Sequence, residues 1–268
     1  TYTTSGTYTD FSTNVVGCTH TEILNLTINN STTSTSNLAA CDSIVWNGTN
    51  YDSSGTYSYI GSSTPSNNYS MNFEGVNDYV EMLNTSVVIA NKLTFSISGW
   101  VYPQSNSSYA GMMGFRNETS ADFYLLYNLA TSGSGTNDLE ARFRNANGIY
   151  YEIVADNALD FNQWQHLAFT YDGSYIRLYK NATLIDSTSA NGIITTTTQS
   201  FMLGALNLGQ NSILFDMTGK LDEVILLDVA LSQAEIQNYM NCPPTGNETG
   251  LAGYWNFEEG SGTTVLDL

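Results

Sequence analysis

From Tyr69 onward the chain is a succession of short runs in which apolar and polar residues alternate. Leu93, Phe95 and Ile97 alternate with Thr94, Ser96 and Ser98, and Leu139, Ala141 and Phe143 alternate with Glu140, Arg142 and Arg144. A period of two puts one set on the buried face of a strand and the other on its outer face. HLAFTYDGSYIRLYKNATLIDS holds two hairpins, the first turning at Asp172-Gly173 and the second near Asn181. Many short strands separated by turn residues predict an all-β sandwich or barrel. One segment breaks the pattern: in LSQAEIQNYM, Ser232 and Glu235 have the spacing of a capping box, and Leu231 and Ile236 that of a hydrophobic staple. A short amphipathic helix is expected there, packed on the sandwich.

The first 60 residues have a different texture. TYTTSGTY at Thr1 is echoed by NYDSSGTY at Asn50, a period of about 49 residues that flags repeated modules. The first copy continues into Ile23, Leu24, Leu26 and Ile28, a β-type run, and the second is preceded by Cys41-Asp42-Ser43 and Trp46-Asn47-Gly48. Neither copy is whole. Gly61 to Asn68, GSSTPSNN, reads as a linker. The expected organisation is therefore partial β-repeat modules over 1–60, a linker over 61–68 and a large β domain over 69–268. All seven cationic residues lie beyond the linker.

Composition narrows the classes of partner. Lys+Arg 7 against Asp+Glu 25 gives a net charge of -18, which argues against nucleic acid and anionic membranes. No apolar run approaches the roughly 20 residues that span a bilayer. Polarity comes instead from Ser, Thr and Asn, in keeping with an extracellular β-rich protein. Triplets such as Asn25-Leu26-Thr27 and Asn247-Glu248-Thr249 match the glycosylation sequon, though chance in an Asn/Thr-rich chain is the simpler account. Cys18, Cys41 and Cys242 form an odd set without C-x-x-C spacing, so zinc is not expected.

The order of phrases is more specific. MNFEGVNDYVEM, LTFSISGWVYP, WQHLAFTYDGSYIRLYKNATLI, FMLGA, GKLDEVILLDVALSQAEIQNYM and GLAGYWNFEEGSGTTVLDL succeed one another as in laminin-G-like domains. The segment from Tyr69 to Leu268 thus resembles the concanavalin A-like jelly rolls, which include pentraxins and many carbohydrate-binding modules. The resemblance implies a two-sheet antiparallel jelly-roll sandwich with one short helix, beside a small N-terminal β module. Such domains usually turn at Asn-Gly where this chain has Asn181-Ala182, which implies strain or a different turn. The CDS, WNG and SGTY phrases resemble tandem modules of large bacterial cell-surface adhesins, including gliding-motility adhesins. That likeness implies a piece of a longer repetitive secreted protein with the jelly roll inserted in the second module. Flanking modules would then supply partners for Cys18 and Cys41, although these two could also bridge one another.

Candidate chemistry follows from both readings. Retaining glycosidases on this scaffold resemble one another in a Glu-x-Asp-x-x-Glu strand, which this chain lacks, so no enzyme is expected. His166 sits in a predicted strand, where a structural role is expected. Asn72, Glu74, Asn77 and Asp78 crowd oxygen donors around Gly75, and related jelly rolls join such an early strand to a late one through calcium. Glu74, Gly75, Asp78 and Asp222 are therefore the candidate Ca2+ set, against a solvated turn with Asp222 pairing Lys220 or capping a turn. For a sugar groove the candidates are Trp100, Tyr102, Tyr124, Arg142 and Arg144, with Trp100 alternatively packed after a bulge. Two functions stand side by side: recognition of a glycan or other surface polymer next to neighbouring modules of the same chain, and a spacer or fibre-forming module without a ligand.

Overall fold

The computed structural model describes residues 6–13, 19–26, 44–46, 49–51, 53, 55, 69–82, 89–104, 109–116, 122–127, 137–194, 200–207, 213–262 and 264–267. The chain divides into two compact units, Thr1–Gly61 and Ser62–Leu268. In the first, β1 (Gly6–Thr13) pairs antiparallel with β2 (Thr19–Leu26), and β3 (Ile44–Trp46) with β4 (Thr49–Tyr51). Ile23, Leu24 and Leu26 fall in β2 as their pattern predicts, whereas Ile28, Cys18, Cys41 and the segment 61–68 lie outside the described residues.

The second unit is a sandwich of two antiparallel sheets. One has the order β11-β10-β9-β8-β15-β6, formed by Tyr150–Ala155, Leu139–Arg144, Asp122–Tyr127, Ala110–Phe115, Phe201–Leu203 and Val80–Met82. The other runs β14-β13-β12-β7-β18-β19, formed by Thr183–Ser189, Tyr175–Lys180, Gln165–Tyr171, Phe95–Pro103, Thr218–Leu227 and Leu251–Trp255. Its seventh strand, β5 (Met71–Glu74), pairs with the first residues of β18. A small ribbon pairs β16 (Leu206–Asn207) with β17 (Ile213–Leu214).

Alternation decides which side chains meet between the sheets. Leu139, Ala141 and Phe143 from one sheet and Phe95, Ile97, Val101, Leu167, Phe169 and Tyr171 from the other are fully buried in one core. Phe143 plugs its centre, with ring centroids 4.4 Å from Tyr171 and 5.7 Å from Phe95, which in turn meets Phe169 at 5.2 Å. Leu93 departs from its predicted alternation: it precedes β7 and is exposed.

A second apolar cluster explains why β12 is buried on both faces. The helix α1 (Gln233–Asn241) lies over the outer side of the seven-stranded sheet, where Ala168, Tyr179, Ile225, Leu227 and Tyr254 pack with Leu231 and Ile236. The capping box forms, with Ser232 as N-cap and Glu235 answering it, and both staple residues are buried. Ser96 Oγ ties the entry segment down, donating to Val229 O and accepting from Leu231 N.

Both predicted hairpins form. Asp172 Oδ1 accepts from the amides of Ser174 and Tyr175, closing the first. At the second, Asn181 (φ 50) and Ala182 (φ 58) both occupy the left-handed region, as a two-residue hairpin turn requires. Alanine there costs roughly 1 kcal/mol against glycine. Its methyl is buried in the cluster beneath α1, and that burial offsets the strain.

Candidate recognition surface on the six-stranded sheet

Because Leu139, Ala141 and Phe143 point into the core, Glu140, Arg142 and Arg144 of β10 point to the outer face of the six-stranded sheet. Register places Tyr124 of β9 on one side of Arg142 and Glu152 of β11 on the other. Arg142 Nη2 lies 2.5 Å from Glu152 Oε1 and 3.1 Å from Glu140 Oε1. The Tyr124 hydroxyl donates to the same Glu140 oxygen at 2.9 Å. Arg142 also lies over the Tyr150 ring at 5.1 Å and the Tyr124 ring at 5.6 Å, and Arg144 lies over Tyr150 at 5.4 Å. Tyr150 is 54% exposed, so its ring is the open floor of the arrangement. Toward β8 the face continues as an aromatic patch: Tyr109 meets Phe215 at 5.5 Å, and the Arg116 guanidinium lies 4.8 Å from the Phe215 centroid. Arg142 and Arg144 lie on β10 and Arg116 follows β8, two strands away, so three of the chain's seven cations belong to this sheet.

The electrostatics are those of a pre-formed network. Glu140 is 3% exposed, and burial, with the neighbouring Glu152 adding to it, pushes its carboxyl up against the opposing pull of Arg142 and the Tyr124 hydroxyl. Its folded form therefore holds a proton more readily than its unfolded one. The resulting stability is present at acid pH and is lost as pH rises through the folded pKa. Two carboxylates on one guanidinium nitrogen leave the guanidinium fixed while the rest of Glu152 and the Tyr150 ring face solvent.

Of the five residues anticipated for a groove, Tyr124, Arg142 and Arg144 share this face. Trp100 and Tyr102 do not: they belong to β7, on the outer side of the other sheet. Alternation assigns a residue to a face of its own strand but not to a sheet, so the five-residue groove is corrected to two separate surfaces. Glu140, Glu152 and Tyr150 were not anticipated. Glu140 was legible in the same alternation, whereas Glu152 and Tyr150 needed the β10–β11 register.

The candidate calcium set is also dispersed. Glu74 stands opposite Thr218 on β18, and Asp222 lies four residues further along that strand, roughly 13 Å away at strand spacing. Asp78 Oδ2 accepts from Glu74 N at 2.8 Å, while Gly75 (φ 84) and Asn77 (φ 57) turn the chain between them. The oxygen-rich cluster thus closes a turn, the alternative open from the sequence. Asp222 Oδ1 accepts from Glu223 N at 2.9 Å, at the bulge where β18 shifts register against β7. These residues do not fit a shared cation, and no group of three or more metal-ligating side chains occurs among the described residues.

His166 is 1% exposed, meets Trp100 edge-on at 5.5 Å, and has no partner for Nδ1 among the described residues. Burial pushes its imidazole down to about 4. Unfolded histidine titrates near 6.5, so between pH 6.5 and 4 the unfolded chain binds more protons and stability falls as pH falls. The loss is about 3 kcal/mol across that window. Melts of wild type and His166→Gln are expected to converge as pH drops from 7 to 4; a constant gap would refute the assignment.

Cys242 is exposed and unbonded. No described helix is long and apolar enough to cross a membrane.

Comparison with known proteins places this geometry in a family. No curated protein sequence matches the chain. Among solved structures, a candidate carbohydrate-binding protein from Bacteroides ovatus aligns at TM-score 0.58 and 22% identity, covering 74% of this chain and 54% of that one. A variant of the sialidase NanB from Streptococcus pneumoniae aligns at TM-score 0.51 and 18% identity, over 63% of this chain and 27% of that one. A heptameric pentraxin from Limulus polyphemus aligns at TM-score 0.47 and 13% identity, over 66% and 82%. This chain therefore spans about half of the Bacteroides protein and a smaller share of the sialidase, and at these identities the likeness is one of fold. The laminin-G-type family model matches residues 73–237, more than half of the sequence, and the chain belongs to the concanavalin A-like lectin/glucanase superfamily.

Proposed function

We propose that the jelly roll is a non-catalytic recognition module that binds a glycan on the outer face of β9, β10 and β11. The observation that carries this reading is Arg142, fixed between Glu140 and Glu152 beside the open ring of Tyr150. Sugar sites combine an aromatic platform with a few convergent polar groups, and this face supplies both. Held in place before a ligand arrives, such groups lose little entropy on binding. Sharing a fold with a protein described as carbohydrate-binding makes saccharides the first ligands to test.

The same geometry argues against hydrolysis at this face. In a carboxylate pair that cleaves a glycosidic bond, substrate atoms occupy the space between the two groups. Here one guanidinium nitrogen touches both carboxylates and fills that space. The ligand class is uncharged glycans. A chain carrying -18 repels polyanions at long range, and the solvent-facing Glu152 carboxylate beside Arg142 would face an acidic sugar. The setting we propose is extracellular, within a longer repetitive surface protein whose first unit carries the SGTY-type modules. That wider setting rests on the sequence phrases alone.

A glycan array with the whole chain tests the reading. Signal on neutral glycans is expected, weakened at least about tenfold in Tyr150→Ala, which removes the open ring, and in Arg142→Lys, because an ammonium cannot reproduce the planar fork. Silence across the array, or signal indifferent to both substitutions, would favour the spacer.

A further inference from the structure

The outer face of the seven-stranded sheet has two halves. The half beneath α1 is closed by the apolar cluster of Ala168, Ile225 and Tyr254. The other half is open. Across it, register sets Asn72 of β5 beside Lys220 of β18, and Lys220 beside Tyr102 of β7. The Tyr102 ring then meets Trp164, just before β12, at 5.6 Å. Phe73, Leu221, Val101 and Leu167 are buried in the core, so these four neighbours of opposite phase share the outer surface.

Trp164 is 41% exposed, yet the segment that presents it is tied down at several points. Asn162 N donates to Pro103 O at 2.8 Å. The Gln165 side chain, 1% exposed, donates to Asp160 O at 2.8 Å and accepts from Asp160 N at 3.3 Å. A large ring is thus held in the open by a braced loop, a costly arrangement for a residue without a ligand. Lys220 makes no ion pair among the described residues, in a chain with 25 acidic groups.

We infer that Asn72, Lys220, Tyr102 and Trp164 form a second saccharide-binding strip, back to back with the first, so that one domain bridges two glycan chains. The chemistry selects this occupant. An amide and an ammonium donate to hydroxyl and ring oxygens, and the paired rings offer apolar surface to a pyranose face. Successive residues sit one strand apart, about 4.8 Å, close to the repeat of an extended pyranose chain. A protein partner would need a broader apolar patch, and the apolar part of this face is already covered by α1. The strip stands on its own geometry, while the bridging depends on the glycan reading of the Arg142 face.

The test is electrophoresis of the whole chain in native gels containing laminarin, xylan, arabinan or galactomannan, with turbidity measured in solutions of the same polymers. Wild type is expected to be retarded by at least one polymer and to cross-link it. Trp164→Ala, and separately Lys220→Ala with Asn72→Ala, should lose the turbidity and weaken retention about tenfold or more through lost bivalency. They should keep the binding that Tyr150→Ala removes, with unchanged melting temperature. Retention and turbidity like wild type in both strip variants would overturn the strip, as would complete loss of binding in Tyr150→Ala alone. Binding lost in Trp164→Ala but indifferent to Tyr150→Ala would keep the strip and refute the first face. No retention of wild type by any of the four would refute both.

Discussion

Phe143→Ala is expected to destabilise the jelly roll by about 3–5 kcal/mol, the cost of emptying a large aromatic site in a close-packed core. The side chain is fully buried and joins the two sheets through Tyr171 and Phe95. For a unit of this size the melting temperature should fall on the order of 10 °C. Val154→Ala, at an exposed position on the neighbouring strand, should change stability by less than about 0.5 kcal/mol. Urea unfolding of both variants checks this, and a Phe143 loss below about 1 kcal/mol would mean that the sheets do not pack as described. Phe143 lies between Arg142 and Arg144, so the same packing that holds the sandwich together fixes β10 beneath its outer face.

The second large effect falls on that face. Arg142→Ala leaves the Glu140 carboxylate buried without its cation. Removing one partner of a buried pair costs about 3–5 kcal/mol; Arg142 is 23% exposed, which lowers the expected loss to about 2–3 kcal/mol. The deficit should shrink as pH falls, because the stranded carboxyl takes up a proton. Adding Glu140→Gln should restore part of the loss at neutral pH, since the uncompensated charge is then gone. Denaturant titrations at pH 5 and 8 distinguish this from simple loss of packing: a pH-independent deficit unrelieved by Glu140→Gln would contradict the network.

Local signals were the ones legible in the sequence. The two-residue period of β10 named three core residues and the three outer residues opposite them, because a half-buried strand leaves no other arrangement for LEARFR. The capping box at Ser232 and Glu235 and the turns at Asp172 and Asn181 were legible for the same reason: each is closed by bonds within a few residues. Non-local pairing was not. Trp100 and Arg142 have the same alternation, and nothing within either strand says that one belongs to the seven-stranded sheet and the other to the six-stranded one. The calcium set failed similarly, since crowding of oxygen donors at Glu74 and Asp78 does not reveal that a backbone amide has taken one of them, nor that Asp222 lies four residues off register. Resemblance supplied what local pattern could not, the two-sheet jelly-roll architecture, but it also carried over a cation that these residues do not assemble to hold.

The most direct test of glycan recognition at the Arg142 face is a 1H–15N NMR titration of the whole chain with xylotetraose, laminaritetraose and mannotetraose. Saturable shifts with at least one of them are predicted for amides of residues 139–144 and 150–155, and their loss in Tyr150→Ala. Saturable binding that leaves both strands unperturbed, or no saturable shift with any of the three, would contradict the account.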